Sequence, residues 1–341
     1  MRKFAVFSGF LGAGKTSLMM ALTRSFNANC GAAAMISNDL GSGVTLADHR
    51  LAVLSGVPAS EITGECICYC HDVLTAKLED FFSAGCTLVV SDIPGFGVGA
   101  LEHVYHGLAG RLDFAPFTVL VEPATIKELR AGGDLAHIQD AQLREADLIV
   151  LSKCDLLSPE ETAEACAYLS ECYPEAEVLP VSARRGDGID ALCRALREGS
   201  ASMRHPEIDY DGEALQNEMA SLSEYYLQYH AVVCCFDFDG TDYLRALAEE
   251  IARDPVAIPH LKLLAWTPDG DYGRVDRMHG QPLEITRPFS RRCTELAVIV
   301  NATLVCPEEE LGFLFRAVQT VSDRFQLELT VHRQEGFGMG E

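Results

Sequence analysis

Short apolar runs alternate with longer amphipathic or polar stretches through the first 200 residues of the chain. A short apolar run bounded by turn residues is typical of a buried strand, and a longer periodic stretch is typical of a helix. Six strands are predicted: Lys3–Ser8, Ala32–Asn38, Thr87–Asp92, Phe117–Glu122, Asp147–Ser152 and Glu177–Val181. Four helices are predicted between them: Lys15–Phe26, Val73–Ala84, Ala124–Ala131 and Pro159–Cys172. Repeated strand–helix–strand units predict an α/β fold, a doubly wound and mostly parallel sheet whose ligands bind at the carboxyl ends of the strands.

This alternation weakens near Gly199–Gly212, where Ser, Pro, Asp and Gly cluster and predict a connection between domains. The remainder predicts βαββαβ with an additional short strand, starting at His230–Phe238. That order is the split βαβ (ferredoxin-like) arrangement of a smaller α+β domain. The predicted division is 1–200 for the first domain, 201–229 for a linker with a helix, 230–333 for the second domain and 334–341 for a tail.

The composition excludes several classes of protein. Hydrophobic residues make up 48% of the 341 residues and charged residues 23%, which favours a globular chain over a disordered or collagen-like one. Uncharged apolar runs such as Leu296–Pro307 are far shorter than the ~20 residues that span a bilayer, so no membrane segment is expected. The apolar stretch after Arg2-Lys3 ends at Lys15 within a different motif, so it is not interpreted as a secretory signal. The 13 cysteines, an odd number, do not indicate a disulfide framework, and a cytoplasmic location is expected.

The charge balance narrows the choice of partners. Asp and Glu number 50 against 27 Lys and Arg, so the formal net charge is −23. Such a chain repels phosphate backbones and anionic membranes, and its densest basic spots are only the pairs Arg184-Arg185 and Arg291-Arg292. We therefore expect neither nucleic acid nor a membrane as a partner; a cation or a protein with a basic face fits better.

A glycine-rich loop follows the first predicted strand and opens a predicted helix. Residues 9–16, Gly-Phe-Leu-Gly-Ala-Gly-Lys-Thr, fit the pattern G-x-x-x-x-G-K-[ST]. Its glycines let successive backbone N–H groups point at phosphate oxygens, and the helix N-terminus adds positive potential. Lys15 is expected to contact the β- and γ-phosphates, and the Thr16 hydroxyl to ligate Mg²⁺. The nucleotide-binding residues predicted here are Gly9, Gly12, Ala13, Gly14, Lys15, Thr16 and Ser17.

Two carboxylates lie at the carboxyl ends of predicted strands, facing the phosphate loop. Asp39 follows the second predicted strand, and Asp92 ends the third. Both are predicted to hold Mg²⁺ together with Thr16, directly or through water, and Asp92 is predicted to be catalytic with Lys15 and Thr16. Gly95 is predicted to offer its backbone N–H to the γ-phosphate and to move on hydrolysis. No residue is assigned as the base for the attacking water.

The nucleobase that the site prefers is predicted from the residues that follow two later strands. Ser152-Lys153-Cys154-Asp155 is similar to the N/T-K-x-D signature of GTPases, in which the Asp accepts hydrogen bonds from guanine N1 and N2. Adenine has no such pair of donors, so a carboxylate here favours GTP over ATP. Ser182-Ala183 follows the next predicted strand and is similar to the S-A element whose backbone N–H meets guanine O6. Ser152, Lys153, Asp155, Ser182 and Ala183 are thus predicted to hold the base.

Three cysteines lie within five residues between the second and third predicted strands. Cys66, Cys68 and Cys70 would share one side of an extended segment, and three thiolates suit Zn²⁺, Cu(I) or a similar ion. The alternative is a set of buried, unligated cysteines or a redox pair. His71 is a candidate fourth ligand, although a single adjacent His is more often solvent-exposed.

The combination of motifs resembles the CobW-type metallochaperone GTPases, SIMIBI-class P-loop GTPases related to those that serve urease, hydrogenase and corrinoid enzymes. The resemblance rests on residues 9–16, Ser-Asn-Asp-Leu-Gly at 37–41, Gly-Glu-Cys-Ile-Cys at 64–68 and Ser-Lys-Cys-Asp at 152–155. It covers the first domain and extends weakly into the second. It implies GTP hydrolysis, slow without a partner, coupled to delivery of Zn²⁺, Co²⁺ or Ni²⁺ to a client metalloenzyme or corrinoid protein. A homodimer is expected by analogy only.

The chain departs from this family at three places. The usual cysteine motif is C-x-C-C, but Tyr69 stands where the third Cys is expected and Cys70 follows one place later. The usual Glu at the end of the third strand is Asp92 here. The His-rich stretch that many relatives carry between domains is absent, since residues 199–228 hold only His205, so metal storage by such a stretch is not implied.

Two other functions stay open on the sequence. One is a GTPase chaperone or gatekeeper of a corrinoid-dependent enzyme, with structural or redox cysteines. The other is an ATP-dependent small-molecule kinase, which Asp155 opposes.

Overall fold

The computed structural model describes residues 2–43, 46–278 and 281–339. The strands are β1 Lys3–Gly9, β2 Ala33–Asp39, β3 Ala59–Thr63, β4 Leu88–Asp92, β5 Thr118–Val121, β6 Leu148–Leu151, β7 Glu177–Pro180, β8 Leu222–Val232, β9 Ala257–Trp266, β10 Tyr272–Met278, β11 Glu284–Arg287, β12 Glu295–Val305 and β13 Glu328–Gly338. The α-helices are α1 Lys15–Asn29, α2 Ala47–Leu54, α3 His71–Ser83, α4 Pro123–Ala131, α5 Ala136–Glu145, α6 Pro159–Cys172, α7 Ile189–Glu198, α8 Glu213–Ala220, α9 Gly240–Ile251 and α10 Gly312–Arg324. Leu101–His106 forms a π-helical segment.

The chain forms two compact units. The first comprises Met1–Leu40 and Ser55–Glu218, and the second comprises Gly41–Leu54 and Met219–Glu341. This differs from the predicted division at two places, because residues 41–54 belong to the second unit and residues 201–218 to the first. The latter segment is held by hydrogen bonds: Arg204 donates to the carbonyl oxygens of Arg144 and Ala146, and the Glu218 carboxylate accepts from the backbone of α5.

The first unit is built on a seven-stranded sheet in the order β3-β2-β4-β1-β5-β6-β7, with every neighbouring pair parallel. The six predicted strands and four predicted helices are all present, so the predicted α/β fold is confirmed. The prediction missed β3, α5 and α7. β3 is a half-exposed edge strand with one fully buried residue, and α5 is a polar helix, so neither has the apolar pattern of a core element.

The second unit is a six-stranded antiparallel sheet in the order β11-β10-β9-β12-β8-β13. Strands β8, β9, β12 and β13 and helices α9 and α10 reproduce the predicted βαββαβ arrangement, and β10 and β11 extend the edge at β9. The core lies between one sheet face and the two helices, where alternate residues of β9 such as Leu261 and Leu263 are buried. Helix α2 packs on the opposite face, where Asp48 forms an ion pair with Lys262 at 2.7 Å.

Two predicted boundaries in the second unit are wrong. β8 covers Leu222–Val232 instead of starting at His230, because the buried side chains of Tyr225 and Tyr229 supply core positions without a continuous aliphatic run. β13 continues to Gly338 alongside β8, so most of the predicted tail is strand. Across the described residues, none of the helices has the length and apolar character needed to cross a membrane.

Candidate functional site

The loop between β1 and α1 is shaped by glycines that no other residue replaces without strain. Gly9 has φ 131°, and a Cβ there would lie 2.4 Å from the carbonyl oxygen of Leu120. Gly12 and Gly14 also have positive φ, 77° and 90°. Ala13 closes a turn within the loop, and Thr16 and Ser17 begin α1 directly after Lys15. The Nζ of Lys15 donates to the carbonyl oxygen of Gly9 at 2.6 Å, so the cation is held at the mouth of the loop.

The two predicted magnesium carboxylates lie at the ends of neighbouring strands. β4 is flanked by β1 and β2, so Asp92 and Asp39 end their strands on the edge of the sheet where the phosphate loop begins. Asp92 and Thr16 are both buried, at 5% exposure each. Carboxylate and hydroxyl oxygens are the hard ligands that Mg²⁺ prefers, so this donor set fits the ion.

Side chains of α5 hold the segment after β4, residues 95–99, by hydrogen bonds. Gly95 packs so closely on the phosphate loop that a Cβ would lie 2.5 Å from the side chain of Leu11. The Gln142 amide donates to the carbonyl oxygens of Gly95 and Gly97, at 3.0 and 2.9 Å. The Glu145 carboxylate accepts from the backbone N–H of Gly99 at 2.7 Å. The segment that contains Gly95 is therefore held by two buried side chains of one helix.

Glu145 is fully buried, and burial raises its pKa to about 7 from the ordinary 4.5. Because the folded-state pKa is the higher one, the contribution of Glu145 to stability is complete below about pH 4.5 and is lost as the pH rises through 7. We therefore expect wild type to lose about 3 kcal/mol of unfolding free energy relative to Glu145→Gln between pH 4.5 and 7.5. Denaturant unfolding of both proteins at several pH values measures this difference. Exposed Glu160→Gln is the control, and parallel pH profiles of wild type and Glu145→Gln would contradict the assignment.

The residues predicted to recognise the base meet at the ends of β6 and β7. The Ser182 hydroxyl donates to Oδ1 of Asp155 at 2.6 Å, which holds the carboxylate in place. Lys153 has the left-handed φ of 53° and forms an ion pair with Glu122 at 2.5 Å. Ser152 is tied to the end of β5 through its backbone N–H, and Ala183 continues the Ser182 loop. The structure thus brings together the two segments that were predicted separately.

The cysteine segment is a turn and not the extended segment that its spacing predicts. The backbone N–H of Tyr69 donates to the carbonyl oxygen of Cys66 at 2.9 Å, and Cys70 precedes α3. Within the described ranges, the sulfurs of Cys66, Cys68 and Cys70 do not form a group whose members all lie within 4.8 Å of one another. His71 begins α3 and does not join them in such a group either.

The three thiols differ in their surroundings. A hydrogen bond from Cys68 lowers the pKa of the Cys66 thiol, while burial and the charges of Asp92 and Asp39 act against it. The same hydrogen bond and burial raise the pKa of Cys68. Burial raises the pKa of Cys70 to about 11. Of the three thiols, Cys66 therefore ionises most easily. The charges of both predicted magnesium carboxylates act on it.

Asn38 connects the carboxylate site to the cysteine turn. Its backbone N–H donates to Oδ1 of Asp92 at 3.0 Å. Its side-chain amide donates to the carbonyl oxygen of Glu65 at 2.8 Å and accepts from the backbone N–H of Ile67 at 3.0 Å. Asn38 is only 4% exposed, so these bonds are shielded from water. One buried residue therefore contacts both sites.

Sequence reasoning missed four residues that shape the site. These residues are Asn38, Glu122, Gln142 and Glu145, all polar and all buried. Asn38 and Glu122 are each the last residue of a predicted strand. A polar residue at the carboxyl end of a parallel strand is a signal that could have identified both. Gln142 and Glu145 lie on a polar helix, where nothing in the pattern marks the side that faces the site.

An all-parallel doubly wound sheet with a Gly-Lys-Thr loop between its first strand and helix, facing carboxylates on the neighbouring strands, defines a P-loop NTPase. A sequence profile of the CobW/HypB/UreG nucleotide-binding domain matches residues 3–180, more than half of the chain. The chain therefore belongs to the CobW/HypB/UreG family, which confirms the resemblance found in its sequence.

Solved structures with similarity to the chain include two metal-bound proteins. HypB from Helicobacter pylori in complex with nickel is 18% identical, with a TM-score of 0.43, over 58% of this chain and 86% of that one. The Zn(II)-bound YjiA GTPase from E. coli is 16% identical, with a TM-score of 0.38, over 93% of this chain and 98% of that one. The hydrogenase maturation factor HypB from Archaeoglobus fulgidus is 22% identical, with a TM-score of 0.40, over 57% and 89%.

Proposed function

We propose that this protein binds and hydrolyses GTP and couples its nucleotide state to the binding and delivery of a transition-metal ion to a client protein in the cytoplasm. The observation that carries the proposal is the contact of Asn38 with both Asp92 and the cysteine turn. A change at the carboxylate would thereby be transmitted over one residue to the backbone of the cysteine turn.

In this proposal the phosphate loop and Lys15 bind the triphosphate, and Thr16, Asp39 and Asp92 hold Mg²⁺. Mg²⁺ held by these residues would neutralise charge on the triphosphate. Gly95 lies against the phosphate loop and offers its backbone N–H to the γ-phosphate, while Gln142 holds the carbonyl oxygen of the same residue. Loss of the γ-phosphate would release Gly95 and shift Asp92 and its partner Asn38.

Asp155 and Ser182 support GTP as the nucleotide. A carboxylate that is already oriented by a buried hydroxyl can accept hydrogen bonds from two adjacent donors on guanine. Charge-assisted hydrogen bonds of this kind are the strong ones, and adenine cannot make them at this position. ATP is therefore expected to bind more weakly than GTP.

The metal ion is the cargo in this proposal. Cys66, Cys68 and Cys70 supply the thiolates, and the separation of their sulfurs in the described chain means that the turn must close to bind an ion with all three. GTP would favour the closed turn and GDP the open one. Because linkage is reciprocal, the metal must raise GTP affinity by the same factor by which GTP raises metal affinity.

Anaerobic titration with Co²⁺ in the presence of GTPγS and Mg²⁺ tests the cysteine site. Co²⁺ bound to thiolates is expected to give a near-ultraviolet charge-transfer band at one equivalent. The band should be lost in Cys66→Ala and kept in Cys172→Ala, which removes an exposed cysteine from α6. No stoichiometric band in wild type would reject the metal role and favour the gatekeeper function with structural or redox cysteines.

Asn38→Ala is expected to uncouple the two sites. The substitution removes the contacts with Glu65 and Ile67 but leaves the backbone N–H that serves Asp92. We expect nucleotide affinity to change by less than about threefold, while the ratio of Co²⁺ affinities with GTPγS and GDP falls towards 1. The loss of buried hydrogen bonds should also lower stability by about 1–3 kcal/mol. Exposed Asn29→Ala is the control. An unchanged affinity ratio in folded Asn38→Ala would show that Asn38 does not carry the coupling.

A further inference from the structure

A second cluster of metal-binding side chains lies in the first unit, away from the cysteine turn in sequence. Glu102 and His106 belong to the π-helical segment, and His205 comes from the segment that was predicted as a linker. One potential ligand atom from each of the three lies within 4.8 Å of the other two. Among the described residues, Glu102, His106 and His205 are the one group of three or more His, Cys, Asp or Glu side chains whose potential ligand atoms lie this close together.

The spacing within the cluster suits a tetrahedral ion. Nδ1 of His205 lies 3.3 Å from Oε2 of Glu102. Two ligands at about 2.0–2.1 Å from a tetrahedral Zn²⁺ are themselves about 3.3–3.4 Å apart. The rings of His106 and His205 are parallel, with centroids 4.1 Å apart.

The surrounding structure orients the two histidines. Nε2 of His106 lies 3.1 Å from the carbonyl oxygen of Arg204. A carbonyl oxygen only accepts, so Nε2 donates this hydrogen bond, as the outer ring nitrogen does in histidines that bind metals. The Arg204 guanidinium anchors this segment to the carbonyl oxygens of Arg144 and Ala146, both at 2.6 Å. Met203 has a left-handed φ of 54°, a strained conformation that persists because the segment is so fixed.

We propose that Glu102, His106 and His205 form a second site for a divalent transition-metal ion, with nitrogen and oxygen ligands and Zn²⁺ as the ion that fits best. Three protein ligands leave the fourth position open, and the side chains of Glu102 and His205 are 54% and 73% exposed. The ion therefore exchanges readily with solvent or with a small ligand. This site needs neither the thiols nor the nucleotide, so it is independent of the function proposed above.

Zn²⁺ binding to the full chain without nucleotide tests the proposal, measured by equilibrium dialysis in a Cys66→Ser/Cys68→Ser/Cys70→Ser background. We expect about one equivalent of Zn²⁺ to stay bound there. His205→Ala should weaken Zn²⁺ binding by more than ~100-fold. Removal of an outer-shell partner of a metal ligand lowers metal affinity by ~10–100-fold, and removal of a ligand itself should cost more. His332→Ala is the control, because His332 lies beside His230 in another pair of rings, in the second unit. No Zn²⁺ binding in the triple Cys→Ser background, or equal binding after His205→Ala, would overturn the proposal.

A measurement on the wild-type chain avoids any effect of the substitutions on folding. Diethyl pyrocarbonate modifies neutral histidines, and the modified positions are mapped by mass spectrometry. Zn²⁺ should protect His106 and His205 and leave His332 reactive. An exposed ion pair without metal affinity predicts equal modification with and without Zn²⁺, and that result would reject the site.

Discussion

Asp155→Asn is expected to lower GTP affinity by about 100-fold or more and to make XTP the preferred nucleotide. The carboxylate is held by the Ser182 hydroxyl in position to accept two hydrogen bonds from guanine. Loss of two charge-assisted hydrogen bonds at about 1.5–3 kcal/mol each accounts for the size of the effect. XTP has a carbonyl group where GTP has the amino group, so the Asn amide can donate to it.

Competition of GTP, XTP and ATP for a fluorescent nucleotide measures this change in both proteins. Asp190→Asn, an exposed carboxylate on α7, is the control with the same change in charge and should behave as wild type. Tighter binding of ATP than of GTP by wild type would contradict the assignment of the base pocket. Equal GTP affinity of wild type and Asp155→Asn would contradict it as well.

Lys15→Ala is expected to reduce the rate of GTP hydrolysis in single-turnover experiments by at least about 100-fold. The ammonium group of Lys15 lies beside the phosphate loop, where it can contact the β- and γ-phosphates of a bound nucleotide. Removal of one preorganised donor from a transition state costs about 10²–10³ in rate. Binding should weaken too, because the same contact holds the ground state.

Single-turnover phosphate release at saturating protein concentration separates the two effects of Lys15→Ala, since it reports hydrolysis when all of the GTP is bound. Lys127→Ala, on an exposed position of α4, is the matched control for the loss of one positive charge. A Lys15→Ala protein with the wild-type rate would show that the loop does not act as a phosphate-binding loop.

The central strands and the phosphate loop of the first unit were predictable from sequence because their signals are local. An apolar run predicts each central strand, and the glycine loop needs its special backbone angles wherever it occurs. Asp155 and Ser182 were predicted separately and do meet, because the carboxyl ends of neighbouring parallel strands converge.

Other features depend on contacts between distant residues. The predicted geometry of the cysteine segment was wrong, since spacing alone does not reveal that the Asn38 amide holds it as a turn. His205 gave no signal alone, because its significance comes from His106 and Glu102, about 100 residues earlier in the chain. The location of 41–54 in the second unit rests on pairs such as Asp48 and Lys262, which are 214 residues apart.

The coupling between nucleotide and metal is the central claim, and linkage measures it most directly. The affinity of the full chain for Co²⁺ is determined anaerobically with GTPγS and with GDP, and nucleotide affinities are determined with and without Co²⁺, all in the His205→Ala protein to exclude the second site. The account predicts that GTPγS tightens Co²⁺ binding at Cys66, Cys68 and Cys70, and that Co²⁺ tightens GTPγS binding relative to GDP by the same factor. Equal Co²⁺ affinity in the two nucleotide states would contradict it.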